Sequence, residues 1–128
     1  MAPRIKFTKE EMVEAALRVV RARGIDGLTA KTMADALGTS TQPIFTGFGS
    51  MDAVKAEVCA AAVSIYDGYI NAGLKEEIPF LGVGKQYIRF AREEPELYRL
   101  LCLTQAKECS AMKSMRHLQE IVRPALMG

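Results

Sequence analysis

Thr39, Ser40, Thr41 and Gln42 form a row of hydroxyls and one carboxamide, with Thr29 and Lys31 before them and Phe45, Thr46 and Ser50 after. Hydroxyl and carboxamide groups donate and accept hydrogen bonds without titrating near neutral pH, so the chemistry they offer is recognition rather than proton transfer. Catalytic constellations are not legible elsewhere. His117 is the only histidine, no Ser-His or Cys-His pairing has a local signature, and Glu76-Glu77 and Glu93-Glu94 adjoin expected helix boundaries, where exposed acids are ordinary. An enzyme is not expected. The three cysteines, Cys59, Cys102 and Cys109, are odd in number and form no CxxC pair, which suggests neither a disulfide framework nor a zinc site. Reduced thiols are expected, with Cys102 and Cys109 able to share one helix face, and no metal or other cofactor.

The elements that must position the recognition side chains lie between Leu28 and Phe48, LTAKTMADALGTSTQPIFTGF. Leu28 precedes Thr29, a good N-cap, and Met33 stands four positions after that cap, the pairing of a hydrophobic staple, so a helix begins there. Met33, Ala34 and Leu37 recur at one-turn spacing, and Gly38 supplies a left-handed stop. Thr39 or Ser40 then caps a second helix, with Pro43 in or at the edge of its first turn, where a missing N–H matters little. Two short amphipathic helices around a glycine turn make a helix-turn-helix, a motif that points to DNA.

A two-helix corner buries too little surface to stand by itself. The preceding segment supplies a third helix: Thr8 and Glu11 form a capping box, Phe7 can staple onto Met12, and Met12, Ala15, Ala16, Val19 and Val20 make an apolar stripe that Gly24 ends. Ser50 lies in the cap of a long fourth helix whose positions Val54, Val58, Ala61, Ala62, Ile65 and Tyr69 keep the helical period to near Gly73. Pro79 opens a fifth through Val83, Tyr87, Ile88 and Ala91, and Glu94-Pro95-Glu96 opens a sixth with Leu97, Leu100, Leu101 and Thr104 inside. Met112, Met115, Leu118, Gln119 and Val122 mark a last helix over 108–123. No segment switches to a two-residue period, so the expected fold is all-α. It comprises a three-helix head with the helix-turn-helix over residues 1–50, a long connecting helix, and a partial helical bundle for ligand binding and dimerisation over 51–128, which reads as truncated after Pro124.

Bulk properties are consistent with this. The chain has 128 residues, 49% of them apolar, no tryptophan and no apolar run of membrane-spanning length, so a globular protein without a membrane partner is expected. MAPRIKFTKEE at the N-terminus lacks the apolar centre of a secretory signal, which makes the expected location cytoplasmic. The net charge of +2 is small but unevenly placed: residues 1–50 hold seven Lys and Arg against five Asp and Glu, and the remainder holds ten against ten. The positive balance therefore belongs to the segment that carries the motif.

With these residues in place, the segment from about residue 5 to 58 resembles the DNA-binding domain of the TetR family of transcriptional regulators. The match runs through Ala15-Ala16-Leu17, the Gly24 turn, Leu28-Thr29, Met33-Ala34, Leu37-Gly38, the Ser40 region, Ile44-Phe45, Phe48 and Ser50. The stretch FLGVGKQYIRFAREEPELYRLLCL is similar to the ligand-binding domain of one branch of that family. The resemblance implies that the helix from Ser40 to Phe45 enters the major groove and presents Thr41, Gln42 and Phe45 to base edges or the adjoining backbone. The Gln42 amide could pair bidentately with adenine, an interaction that discriminates by about 1–3 kcal/mol. Thr29, Lys31, Thr39 and Ser50 would hold phosphates, and Ser40 and Thr46 complete the candidate set. Two departures stand out. Met51 takes the place of a family lysine that contacts phosphate, and Thr46 and Gly47 replace a tyrosine and a histidine, so weaker or more salt-sensitive binding is expected.

The resemblance also implies a homodimer on a near-palindromic double-stranded operator, acting as a repressor released by an unidentified small-molecule effector. Candidate walls of the effector pocket are Tyr66, Tyr69, Phe80, Tyr87, Phe90, Met112 and Met115, since aromatic and thioether groups line adaptable apolar cavities. The competing reading keeps the fold and loses the DNA, leaving a helical interaction or ligand-binding module.

Overall fold

Helices account for every regular element in the computed structural model, which describes residues 7–103. They are α1 (Lys9–Arg23), α2 (Ala30–Leu37), α3 (Gln42–Phe48), α4 (Met51–Leu74), α5 (Pro79–Glu93) and α6 (Pro95–Tyr98), with a 3-10 turn at Ile25–Gly27 and a π-helical turn at Arg99–Leu103. The fold of the described residues is all-α, and no helix among them is long and apolar enough to cross a membrane. The chain divides into two units, the first ending at Val58 and the second starting at Cys59, within α4.

The first unit is built on α1. The Thr8 hydroxyl accepts the Glu11 N–H at 3.0 Å, and Gly24 stops the helix at φ 79°, where a side chain would be strained. Met12, Ala15, Ala16, Leu17, Val19 and Val20 are all buried. Leu28 and Met33 are buried beside them, consistent with a staple around the Thr29 cap. That cap is tighter than the sequence suggested. Thr29 and Thr32 make a reciprocal capping box, and the Thr32 hydroxyl also donates to the Gly27 carbonyl at 2.9 Å.

In the second unit, Cys59, Ala62, Tyr66 and Ile70 form the buried stripe of α4. Ile65 and Tyr69, the positions expected inside, are only half-buried, because the inward face follows a four-residue step from Val54 rather than the mixed steps read from apolarity. Val83 and Phe90 of α5 and Leu97, Leu100 and Leu101 complete this core. Near the end of α4 the chain approaches α5 backbone to backbone: a Cβ on Gly73 would stand 2.5 Å from the Gly82 carbonyl oxygen. Cys59 is disulfide-bonded, which corrects the expectation of three reduced thiols, since proximity in the fold and not spacing along the chain decides sulfur pairing. The expected helix over 108–123, with Met112 and Met115, lies outside the described residues.

Candidate nucleic-acid interface

The turn between α2 and α3 is closed by backbone. Gly38 adopts φ 73°, ψ 33°, and the Thr39 N–H donates to the Ala34 carbonyl at 3.0 Å, the reach of a Schellman stop. The next helix starts later than expected. Thr41, not Thr39 or Ser40, is its N-cap and makes no side-chain cap bond; its carbonyl accepts from Ile44 N–H at 3.1 Å and Phe45 N–H at 3.3 Å. Pro43 sits in the first turn, where its absent N–H leaves nothing unsatisfied.

Ile44 is fully buried and fastens α3 to the unit. Gln42, Phe45 and Thr46 are exposed, and their spacing of three and four residues puts them on one helix face. Phe45 retains 44% of its surface in solvent. Gly47 does not share that face: a Cβ there would lie 2.8 Å from Met12 Cε of α1. Lys9 stands 5.6 Å from the Phe48 ring centroid, close enough for a cation–π contact between the start of α1 and the end of α3.

Around this face the remaining candidates fall into two groups. Thr29 accepts the Thr32 N–H at 3.1 Å and the Ser50 Oγ accepts the Ala53 N–H at 3.2 Å, so both hydroxyls already cap helices. Lys31 and Ser40 are exposed, whereas Thr39 and Thr41 are half-buried. Met51 begins α4 and is half-buried. On another part of the unit, Glu10, Glu11 and Glu14 line a cleft of about 360 Å³ with Phe7, Leu37 and a single base, Arg18, a surface whose acidic excess is of the wrong sign for phosphate.

The effector-pocket candidates are brought together in part. Tyr66 meets Phe90 edge-on with centroids 5.3 Å apart and Tyr87 at 6.4 Å, and Tyr69 meets Phe90 at 5.4 Å. Tyr98, outside the set expected from sequence, joins them 5.8 Å from Tyr87; its position directly after Leu97 is the one local signal for it. Phe80 remains 41% exposed at the start of α5. At the margin of the cluster the Tyr69 hydroxyl donates to Glu93 Oε1 at 2.6 Å, and Arg89 Nε donates to Oε2 at 2.9 Å. These two bonds, Tyr69 first, hold the Glu93 carboxyl below its ordinary range. The same bond to Glu93 pushes the Tyr69 phenol up. Among the described residues no group of three or more His, Cys, Asp or Glu is placed to hold a metal ion.

Together these features define an all-α chain with a short, uncharged helix exposing amide, hydroxyl and ring side chains on one face. No family model and no curated protein matches the sequence.

Proposed function

We propose that the chain is a DNA-binding transcriptional regulator of the TetR type, a repressor whose first unit reads DNA through α3. One observation carries this reading: Gln42, Phe45 and Thr46 share an exposed face of α3 while Ile44 anchors its back. A short helix held from behind and capped by a glycine-stopped neighbour is the geometry that delivers side chains to a major groove. In this proposal Gln42 reads adenine and Phe45 touches a thymine methyl. Lys31, Ser40, Thr46 and the helix-capping hydroxyls of Thr29 and Ser50 lie toward the backbone, where α4's first amides also favour a phosphate.

The same reading has two copies on a near-palindromic operator with half-sites about 34–36 Å apart. A small effector binding in the second unit would release them, the aromatic cluster around Tyr66 and Phe90 being its candidate wall. It places the protein in the cytoplasm, where the Cys59 bond would be open to reduction. Fluorescence anisotropy with duplex from the region beside the protein's own gene tests the proposal. Salt-dependent binding is expected, and Gln42→Ala should lose about 1–3 kcal/mol of preference at one base pair. Unchanged affinity and base preference in Gln42→Ala would remove α3 from the reading, and absence of any duplex binding would leave the helical interaction module.

A further inference from the structure

Cys59 lies on the inward stripe of α4, 3% exposed, and is disulfide-bonded. The chain has only two other cysteines, Cys102 and Cys109, so a bond within one copy must reach past α5 and α6 to one of them. Cys102 falls in the π-helical turn Arg99–Leu103, a register that is uncommon and recurs at functional sites. No glycine or proline within RLLCL accounts for the wider turn. Counted by the five-residue step of that register, Cys102 follows Leu97, and Leu97, Leu100 and Leu101 are all buried in the core that Cys59 enters from α4. Tyr98, the residue before the turn, connects it to the aromatic cluster. Its ring stands 5.8 Å from Tyr87 and 6.5 Å from Phe90, and its hydroxyl accepts from the Tyr87 hydroxyl at 3.4 Å.

We infer that Cys59 pairs with Cys102 and that this bond is a thiol switch on the second unit, opened and closed by the balance of small cellular thiols and their disulfides. Closed, it ties the π-helical turn to α4 across a loop that holds every tyrosine of the chain, Tyr66, Tyr69, Tyr87 and Tyr98. Opened, it lets the turn return to the commoner α register, which rotates Leu100 and Leu101 and shifts Tyr98 within the cluster. Opening consumes two small thiols. The thiolate of the first attacks the Cys102 sulfur, the S–S bond breaks, and Cys59 leaves as a thiolate that takes up a proton; burial of Cys59 directs the attack to the other sulfur. A second thiolate attacks the small-thiol sulfur of the mixed disulfide, so Cys102 leaves and is protonated, and the two small thiols depart joined as a disulfide. Two electrons have then passed from the small thiols to the protein pair, and closing is the reverse. The bond lies within the second unit, which begins at Cys59. That thiol balance is an input to the proposed regulator rests on the DNA reading; the switch itself does not.

Glutathione is the probe. The full chain is alkylated, digested and weighed by mass spectrometry before and after incubation with millimolar reduced glutathione. Cys59 joined to Cys102 is expected before, both as alkylated thiols after, and the bond again once oxidised glutathione is added. With no tryptophan and all four tyrosines in ring contact in or beside the cluster, the tyrosine band of near-ultraviolet circular dichroism reads that cluster. It should lose intensity on reduction and regain it on oxidation, and Tm should fall by about 5–10 °C as the crosslink is lost. Cys59→Ser and Cys102→Ser should each show the reduced spectrum and cease to respond to glutathione, whereas Cys109→Ser should behave as wild type. Pairing of Cys59 with Cys109, a bond that millimolar glutathione leaves closed, or a tyrosine band unmoved by reduction would each overturn the inference. The wild-type measurements need no variant, so a serine variant that fails to fold leaves the test intact. Anisotropy with duplex, with and without glutathione, is read separately: a switch in a chain that binds no DNA keeps the inference and loses only the regulatory reading.

Discussion

At the scale of single residues, the second unit contains a small linked group whose titration has a definite sign. Glu93 accepts from Tyr69 and from Arg89, so ionised Glu93 is favoured in the folded chain and its carboxyl titrates below the ordinary range. A depressed native value stabilises the fold fully above the unfolded pKa of about 4.3, and that contribution is lost as pH falls through the native value. The Tyr69 phenol shows the mirror case. Raised in the folded chain, it contributes fully below about pH 10, and the contribution is lost as pH rises through its native value. Thermal melts of Glu93→Gln should therefore lose less stability than wild type on acidification through this carboxylate range. Because Glu93 and Arg89 are solvent-exposed, the difference should be small and should shrink in high salt; equal slopes for the two proteins would show that the bonds carry no stability.

At the scale of elements, helix boundaries were legible wherever a side chain or glycine sets them locally. Thr8, Gly24, Thr29, Gly38, Ser50 and Pro79 all stand at helix ends in the structure. What the sequence concealed depends on neighbours distant along the chain. Both Tyr66 and Tyr69 meet Phe90 of α5, but Tyr66 also meets Tyr87 and is buried, whereas Tyr69 turns its hydroxyl out to Glu93, and no local period contains that fact. The capping box closed by Thr32 has little signature in sequence, because threonine is a less usual third-position partner than glutamate. In the candidate interface, the exposure of Gln42 and Phe45 could be anticipated from the burial of Ile44, but the inward turn of Gly47 onto Met12 required the packing of α3 on α1. Gly73 and Gly82 make the same point, since only their meeting explains either glycine. A side chain on Gly82 would collide with the Gly73 carbonyl, so Gly82→Ala should destabilise the fold by about 1–3 kcal/mol as the helices are forced apart. Gly68 in α4 has open space around its missing side chain, and there the same substitution should stabilise by about 0.5–1 kcal/mol. Denaturant unfolding of the two variants checks both signs, and like effects from both would contradict the crossing geometry.

At the scale of the whole molecule, charge decides how firmly the proposed regulator could hold DNA. Seven basic against five acidic residues in positions 1–50 leave a slight positive balance, and three of those acids, Glu10, Glu11 and Glu14, line one cleft. The proposed reading helix carries no charge of its own: α3 has no charged residue. Affinity for duplex comes largely from neutralised phosphates, each contact adding about 0.9 to the slope of log affinity against log salt. The wild-type slope should accordingly be shallow, so that of the two outcomes expected from Met51, Thr46 and Gly47 the charge balance favours weaker binding over greater salt sensitivity, and the position best placed to steepen the slope is Met51, the first residue of α4, directly after the Ser50 cap. A lysine there sits where Ser50 and the leading amides of α4 already favour an anion. Against this, a cation at a helix N-terminus opposes the macrodipole and should lower stability by about 0.3–1 kcal/mol. Met51→Lys should therefore melt slightly earlier, bind duplex more tightly at low salt, and steepen the salt slope by about one per copy bound. Titrations at several salt concentrations separate the two effects. Tighter binding with an unchanged slope would mean that the new side chain acts through something other than a phosphate, and an unchanged affinity would place the N-terminus of α4 away from the DNA backbone.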